Sequence, residues 1–255
     1  MKRIAGYFAW LLISVCFCAT ARGAVFADET LHYRISYKWG LIQKDAGEAT
    51  LSLRGAGSRY NLRLTAHTLP WADEIFMVRD TLLASVDKNG LLPLSYSKIS
   101  HEGGDYRRDD ITYTRAGSKT TAAVKRAVRK KDGRQWGSTH TYSATGTAYD
   151  MLSVFYYLRT LDFNKLERSR ITRTAIFSGS QVETLTIRYA GRKEIKMRKE
   201  GRRDAIKITF SFTTDGRRKS SESIEAWISA DARHIPLQII GKLPIGAVRV
   251  DLTGG

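Results

Sequence analysis

Apolar side chains recur at every second position through one segment of this chain after another. Leu31, Tyr33, Ile35, Tyr37 and Trp39 alternate with His32, Arg34, Ser36 and Lys38. Ala49, Leu51 and Leu53 alternate with Thr50 and Ser52, and Tyr60, Leu62, Leu64 and Ala66 with Asn61, Arg63 and Thr65. The pattern returns in Leu185, Ile187 and Tyr189, in Ile206, Ile208, Phe210 and Phe212, and in Val248, Val250 and Leu252. A period of two sends successive side chains to opposite faces of a strand. The chain therefore reads as antiparallel strands with one face buried and one wet. Asn89-Gly90 and Asp215-Gly216 read as tight hairpin turns between them.

One stretch breaks this rhythm. In Thr147–Leu161, Met151, Val154, Phe155 and Leu158 follow the spacing of one helix face, and Leu152 and Tyr156 add apolar surface beside it. Thr147 and Asp150 have the spacing of a capping box, with Asp in the usual Glu place. A helix apolar on most sides needs cover on most sides. One helix cannot cover a flat sheet this wide. The patterns together predict an all-β, mainly antiparallel fold: a strongly curved or barrel-like sheet with one central α-helix on its concave face. Such curvature also reduces exposed edges.

The N-terminus reads as an export signal. Lys2 and Arg3 precede a mostly apolar run from Ile4 to Ala19, and Ala19-Thr20-Ala21 offers small residues for cleavage after Ala21. The expectation is a signal peptide over residues 1–21, one β domain over residues 22–255, a periplasmic location with outer-membrane association open, and no membrane-spanning helix after cleavage. Both cysteines, Cys16 and Cys18, lie in the signal. The remainder has no thiol for a disulfide, a metal or nucleophilic chemistry, so its core must hold it together.

Charge is the strongest compositional feature. The formal net charge is +17, and losing Lys2 and Arg3 with the signal leaves +15. A strongly basic exported chain suits lipid, lipopolysaccharide or acidic glycan, and also envelope proteins. Nucleic acid is disfavoured outside the cytoplasm. Most Lys and Arg residues alternate with apolar ones, as on a solvated outer face. The dense clusters Lys125–Arg134 and Arg192–Arg203 contain Asp132-Gly133 and Glu200-Gly201, so both read as basic hairpin tips. Lys125, Arg126, Arg129, Lys130, Lys131 and Arg134 form the candidate anionic-surface patch.

Reactive chemistry is sparse. His32, His67, His101, His140 and His234 are scattered, with no metal-binding or HExxH spacing. Asp109 and Asp110 are adjacent and point to opposite faces of a strand, which is poor geometry for an acid–base pair. No GxSxG, P-loop or dinucleotide fingerprint occurs, so neither a cofactor nor a metal is expected. The candidate ligand-binding residues are Arg159, Tyr156, Trp71 and Phe76. Arg159 sits in a helix expected to be buried. A buried guanidinium needs either an internal carboxylate or an anionic ligand head. Trp71 and Phe76 lie in a segment, Pro70–Phe76, that reads as a short helix or a lid beside the barrel mouth. Packing into the core is the plainer role for that pair.

Three blocks carry a family resemblance. Glu29-Thr30-Leu31-His32-Tyr33 with Gly40 and Ala46-Gly47-Glu48-Ala49 resembles the opening of a bacterial exported family catalogued as domain of unknown function 3108. Asp150–Arg159 resembles its central helix. Ala226–Asp231, His234-Ile235-Pro236-Leu237 and Pro244-Ile245-Gly246-Ala247 resemble its closing strands. The resemblance implies an exported, mainly β protein of Gram-negative bacteria, and supplies no activity and no catalytic residue. Curved sheets with a helix across the concavity are similar in plan to periplasmic lipoprotein carriers, although shared architecture does not fix function. The sequence favours a non-enzymatic binding or carrier protein for an amphiphilic or anionic envelope component. An interaction or scaffold protein for envelope assembly or polysaccharide handling comes next, and an enzyme of unknown chemistry last.

Overall fold

The computed structural model describes residues 26–179, 181–199, 201–214, 223–242 and 246–255. The export signal and the Asp215-Gly216 turn lie outside these residues. Fifteen strands form one sheet in the order β8-β7-β6-β5-β4-β3-β2-β1-β15-β14-β13-β12-β11-β10-β9. One arm of the sheet is β1 (Glu29–Trp39), β2 (Ile42–Ala56), β3 (Arg59–Thr68), β4 (Val78–Asp87), β5 (Pro93–Glu102), β6 (Asp105–Ala116), β7 (Lys119–Arg129) and β8 (Gln135–Thr145). The other is β9 (Ala148–Asp150), β10 (Ile171–Phe177), β11 (Val182–Lys196), β12 (Arg202–Thr214), β13 (Ile224–Ser229), β14 (Pro236–Lys242) and β15 (Ala247–Gly254). Strands β1–β8 and β10–β15 are meanders, β9 adds beside β10 through a crossover containing two helices, and the ladder between β1 and β15 joins the arms. All pairings are antiparallel except β9 with β10.

The alternation seen in sequence becomes the inner wall. Leu31, Leu51, Leu53, Tyr60 and Leu62 from the first arm are buried, as are Leu185, Ile187, Ile206, Ile208, Ala226 and Ile228 from the second. The sheet curls until its arms meet across a seam that strand hydrogen bonds do not close. Side chains hold it there. Tyr113 of β6 packs on Phe177 of β10 with ring centres 5.5 Å apart. Arg126 of β7 donates to the carbonyl of Gly179, just past β10, at 2.7 Å.

The helical stretch is shorter than its pattern: among the described residues it gives α2 (Ser153–Arg159) and a separate α3 (Phe163–Ser169), while Pro70–Phe76 forms the short helix α1 that its sequence allowed. Thr147 and Asp150 do not form a capping box. Ala148–Asp150 is captured by parallel pairing with Ala175–Phe177. Asp150 instead accepts from the amides of Leu152 (2.8 Å) and Ser153 (2.7 Å), two donors that open the helical turn. Tertiary pairing has overridden local pattern here. Phe155, expected in the core, is half-buried, because its face of α2 borders a cavity.

The β11–β12 hairpin also departs from the expected exposed basic tip. A register shift beside Gly191 bends it. Its end then lies over the convex face, where Ile195 and Met197 are buried beside the outward-facing Trp227. Arg198 anchors it to Asp45 of β2 at 2.6 Å.

Candidate functional site

The concave face divides into an apolar and a charged region. Val154, Phe155 and Leu158 of α2 face Leu185, Phe210, Ile228 and Ile239 of β11–β14 across a cavity of about 200 Å³ whose lining is entirely apolar. This exceeds the ~150 Å³ apolar void that accepts a benzene ring in an engineered protein. Next to it lies a second cavity of about 450 Å³, lined by Asp80, Lys98, Arg107, Asp109 and Glu183. Met151 and Phe212 line both. An oily chamber thus adjoins an ion-lined one.

Strand register creates the charged region. Asp80 pairs with Ser100, Leu82 with Lys98, Lys98 with Asp109, and Ser100 with Arg107 across β4–β6. These positions share the inward parity of Tyr96 and Ile111. Lys98 stands 3.8 Å from Asp80 and 3.7 Å from Glu102. Burial, then the nearby Glu102 carboxyl, pushes the Asp80 carboxyl up against the pull of Lys98. One Asp80 oxygen and the Ser100 hydroxyl are buried without a hydrogen-bond partner. Asp109 is buried between Arg107 (2.6 Å) and Arg126 (2.6 Å). Burial pushes its carboxyl up, but the two guanidiniums outweigh burial and hold it below the usual range.

The four candidate ligand-binding residues do not converge. Arg159 is buried and spends its charge on Glu29 of β1, with the second contact, Nη2 to Oε2, at 3.2 Å. Its Nε donates to the carbonyl of Arg233 at 3.1 Å, and its guanidinium lies over the rings of Phe26 and Tyr156. An anionic ligand here would first have to displace Glu29. Tyr156 is fully buried, and burial, then the Glu29 carboxylate, raises its pKa. Trp71 and Phe76 sit on α1 at one rim of the barrel. The Trp71 indole donates to the Asp45 carbonyl at 2.7 Å, and Phe76 is exposed.

The six candidate patch residues do not share one face. Lys125 and Arg129 are exposed on the convex side, and Arg129 lies over the Tyr106 ring. Arg126 has the opposite parity and turns inward to Asp109. Lys130 pairs with Asp105, and Arg134 with Asp132 at 2.8 Å. Lys131 is exposed at the tip.

The seam and its charges escaped the sequence reading, although a signal was present. Asp109 shares parity with Ile111 and Tyr113, and Arg126 with Ala122, Val124 and Val128. A charge of each sign on the apolar side of neighbouring strands marks an interior pair. Among the described residues, no cluster of three or more His, Cys, Asp or Glu side chains is arranged to hold a metal ion.

The sequence profile of a family described as "Protein of unknown function (DUF3108)" matches residues 32–253. The chain belongs to the DUF3108 family. No curated protein matches it. Among solved structures, this DUF3108 chain is similar to a β-barrel-like protein of domain of unknown function DUF1849 from Brucella abortus. The TM-score is 0.60 at 14% identity, over 89% of this chain and 95% of that one. At that identity the likeness concerns the fold alone. No helix among the described residues is long and apolar enough to cross a membrane.

Proposed function

We propose that this DUF3108 protein is a periplasmic binding or carrier protein for an amphiphile, its apolar part held against α2 and its polar head among the charges of β4–β6. One observation carries the reading: the apolar cavity shares Met151 and Phe212 with the ion-lined cavity. Ligand sites are mostly apolar clefts of roughly 300–1,000 Å³ with a few placed polar groups, and the two chambers together fall within that range. Two buried polar atoms without partners, on Asp80 and Ser100, support a polar head at the charged end.

Native mass spectrometry of protein purified from its own periplasm tests this directly, and a co-purifying amphiphile is expected. Ala226 is buried and lines the apolar chamber. Ala226→Leu fills space without removing a polar contact, so it should abolish that adduct and the uptake of a fluorescent acyl probe while the fold melts normally. An empty wild type that takes up no acyl probe would refute the reading. A second reading, an enzyme, draws on Asp80, whose raised pKa and neighbouring Glu102 suit proton transfer. Under that reading Asp80→Asn would leave probe uptake intact and cause a captured amphiphile to persist unchanged where the wild type converts it.

A further inference from the structure

Six of the seven large hydrophobic side chains exposed among the described residues lie at one end of the barrel. Trp39, Leu41 and Ile42 form the tip of the β1–β2 hairpin, and Leu41 is fully exposed. Ile75 and Phe76 end α1, the connection between β3 and β4. Trp136 stands at the start of β8, just past the β7–β8 turn. In an up-and-down meander, the β1–β2, β3–β4, β5–β6 and β7–β8 connections all emerge at the same end. Contacts join them into one rim. Lys44, beside the first tip, lies 3.8 Å over the ring of Trp71 on α1. Phe76 packs against the backbone at Gly103 in the β5–β6 turn. Phe76, Lys131 and Trp136 line a common cavity of about 590 Å³.

The charges of this rim are also ordered. Asp73, Asp105 and Asp132 are each taken by a basic neighbour, Arg79, Lys130 and Arg134. Lys38, Lys44 and Lys131 remain exposed and make no ion pair among the described residues, against one exposed acid of the rim, Glu74, that is likewise in no ion pair among them. A monomer seldom groups exposed apolar side chains in this way unless they meet a partner or a membrane. Tryptophan is favoured at the membrane–water boundary, and apolar side chains ringed by lysine suit an anionic leaflet, where burial and charge attraction add.

We propose that this rim is a docking surface for an anionic lipid membrane, with Trp39, Leu41, Ile42, Ile75, Phe76 and Trp136 entering the headgroup region and Lys38, Lys44 and Lys131 meeting lipid phosphates. The proposal uses the outer rim and stands independently of what the interior holds. A strand protein whose described residues include no spanning helix would thereby sit on the bilayer with the barrel mouth toward it.

The test is co-sedimentation of the purified protein with phosphatidylglycerol vesicles and with phosphatidylcholine vesicles. Both the wild type and a Leu41→Asn, Ile42→Asn variant are used, so any contribution of residues 4–19 cancels in the comparison. The expected result is binding to the anionic vesicles only, accompanied by a blue shift of tryptophan emission. The double variant should bind about tenfold more weakly or worse with an unchanged melting curve, since both side chains are exposed. Lys38→Gln with Lys131→Gln should weaken binding too, and added salt should mimic that loss. Undiminished binding of the apolar double variant would show that net charge alone attracts the chain, and would overturn the proposal. Equal binding to neutral vesicles would overturn the role of the lysines. Absence of binding to either vesicle would leave the rim to a protein partner and overturn the proposal as a whole.

Discussion

Asp109 and Asp150 are the same acid, buried alike, and the molecule stabilises them in opposite ways. Asp109 lies at the seam, where two strands deliver Arg107 and Arg126 to it. Asp150 lies where β9 turns into α2. Its first oxygen accepts two backbone amides, and its second has no partner. Burial pushes the Asp150 carboxyl up to about 6, against the pull of the Ser153 and Leu152 amides. The seam can recruit long cationic side chains because it borders solvent. The helix start is enclosed by Leu152, Tyr149 and Tyr113, and no cation among the described residues pairs with it. In this fold paired guanidiniums compensate the buried acid that borders solvent, while backbone amides compensate the one that is enclosed.

The largest expected effect tests the seam. Asp109→Ala leaves Arg126 and Arg107 without their carboxylate and weakens the bridge to Gly179. It should cost about 3–5 kcal/mol in a urea melt, the range for breaking a buried ion pair. A loss below about 1 kcal/mol would mean the seam is held by Tyr113 and Phe177 alone.

The pH dependence tests the other site. Between the ordinary carboxylate value of 3.8 and about 6, folded Asp150 holds a proton that the unfolded chain has released. Its contribution to stability is thus fully present at low pH and falls as pH rises through that window, by about 3 kcal/mol at roughly 1.36 kcal/mol per pKa unit. Asp109, with its lowered pKa, acts oppositely: its contribution is present above the ordinary value and disappears as pH falls through the folded one. Melts from pH 4 to 7 on the wild type and Asp150→Asn separate the two, because the difference curve contains Asp150 only.

Arg159 and Glu29 give an intermediate case. The Glu29 side chain keeps 13% of its exposure, so water can partly solvate it once its partner is gone. Arg159→Met should cost about 2 kcal/mol, below the ~3–5 kcal/mol of an enclosed pair. The smallest effect is Asp150→Asn at pH 7. Asparagine keeps the acceptor for both amides and removes the uncompensated charge, but it puts an amide NH2 without an acceptor where the unpartnered oxygen lies. That cost offsets most of the gain, so stability should match the wild type or exceed it by about 1 kcal/mol. A loss above 2 kcal/mol would show that the charge itself, rather than the acceptor, organises the turn.

The strands were legible because period-two alternation is local and each β segment carries it unaided. The helix was legible in part. Val154 and Leu158 are buried as their spacing indicates, but Ala148–Asp150 went to β9 because of Ala175–Phe177, a segment far along the chain that no local pattern contains. Arg159 announced its need for a partner. Glu29 could not be named from sequence, because it lies 130 residues away and on another element. The two-chamber interior was illegible for a related reason. Alternation shows that a residue faces inward, and only the order of strands around the barrel shows which inward residues meet. Trp39 continues the alternating row in sequence, yet the sheet stops supporting it on one side one residue earlier, where β1 parts from β15 after Lys38 pairs with Ala247.

The ladder between β1 and β15 carries a consequence for how the chain can fold. Every other antiparallel pairing joins neighbours in sequence and closes a short loop, so each arm can assemble as it emerges. Tyr33 and Leu252, by contrast, meet only when nearly the whole chain is present. Loops this long close slowly, and contacts of high sequence separation delay the rate-limiting step. Until β15 arrives, β1 and β14 expose bare backbone edges to any other strand. The two arms should therefore form early and dock late, leaving an interval in which a chaperone could hold the chain open.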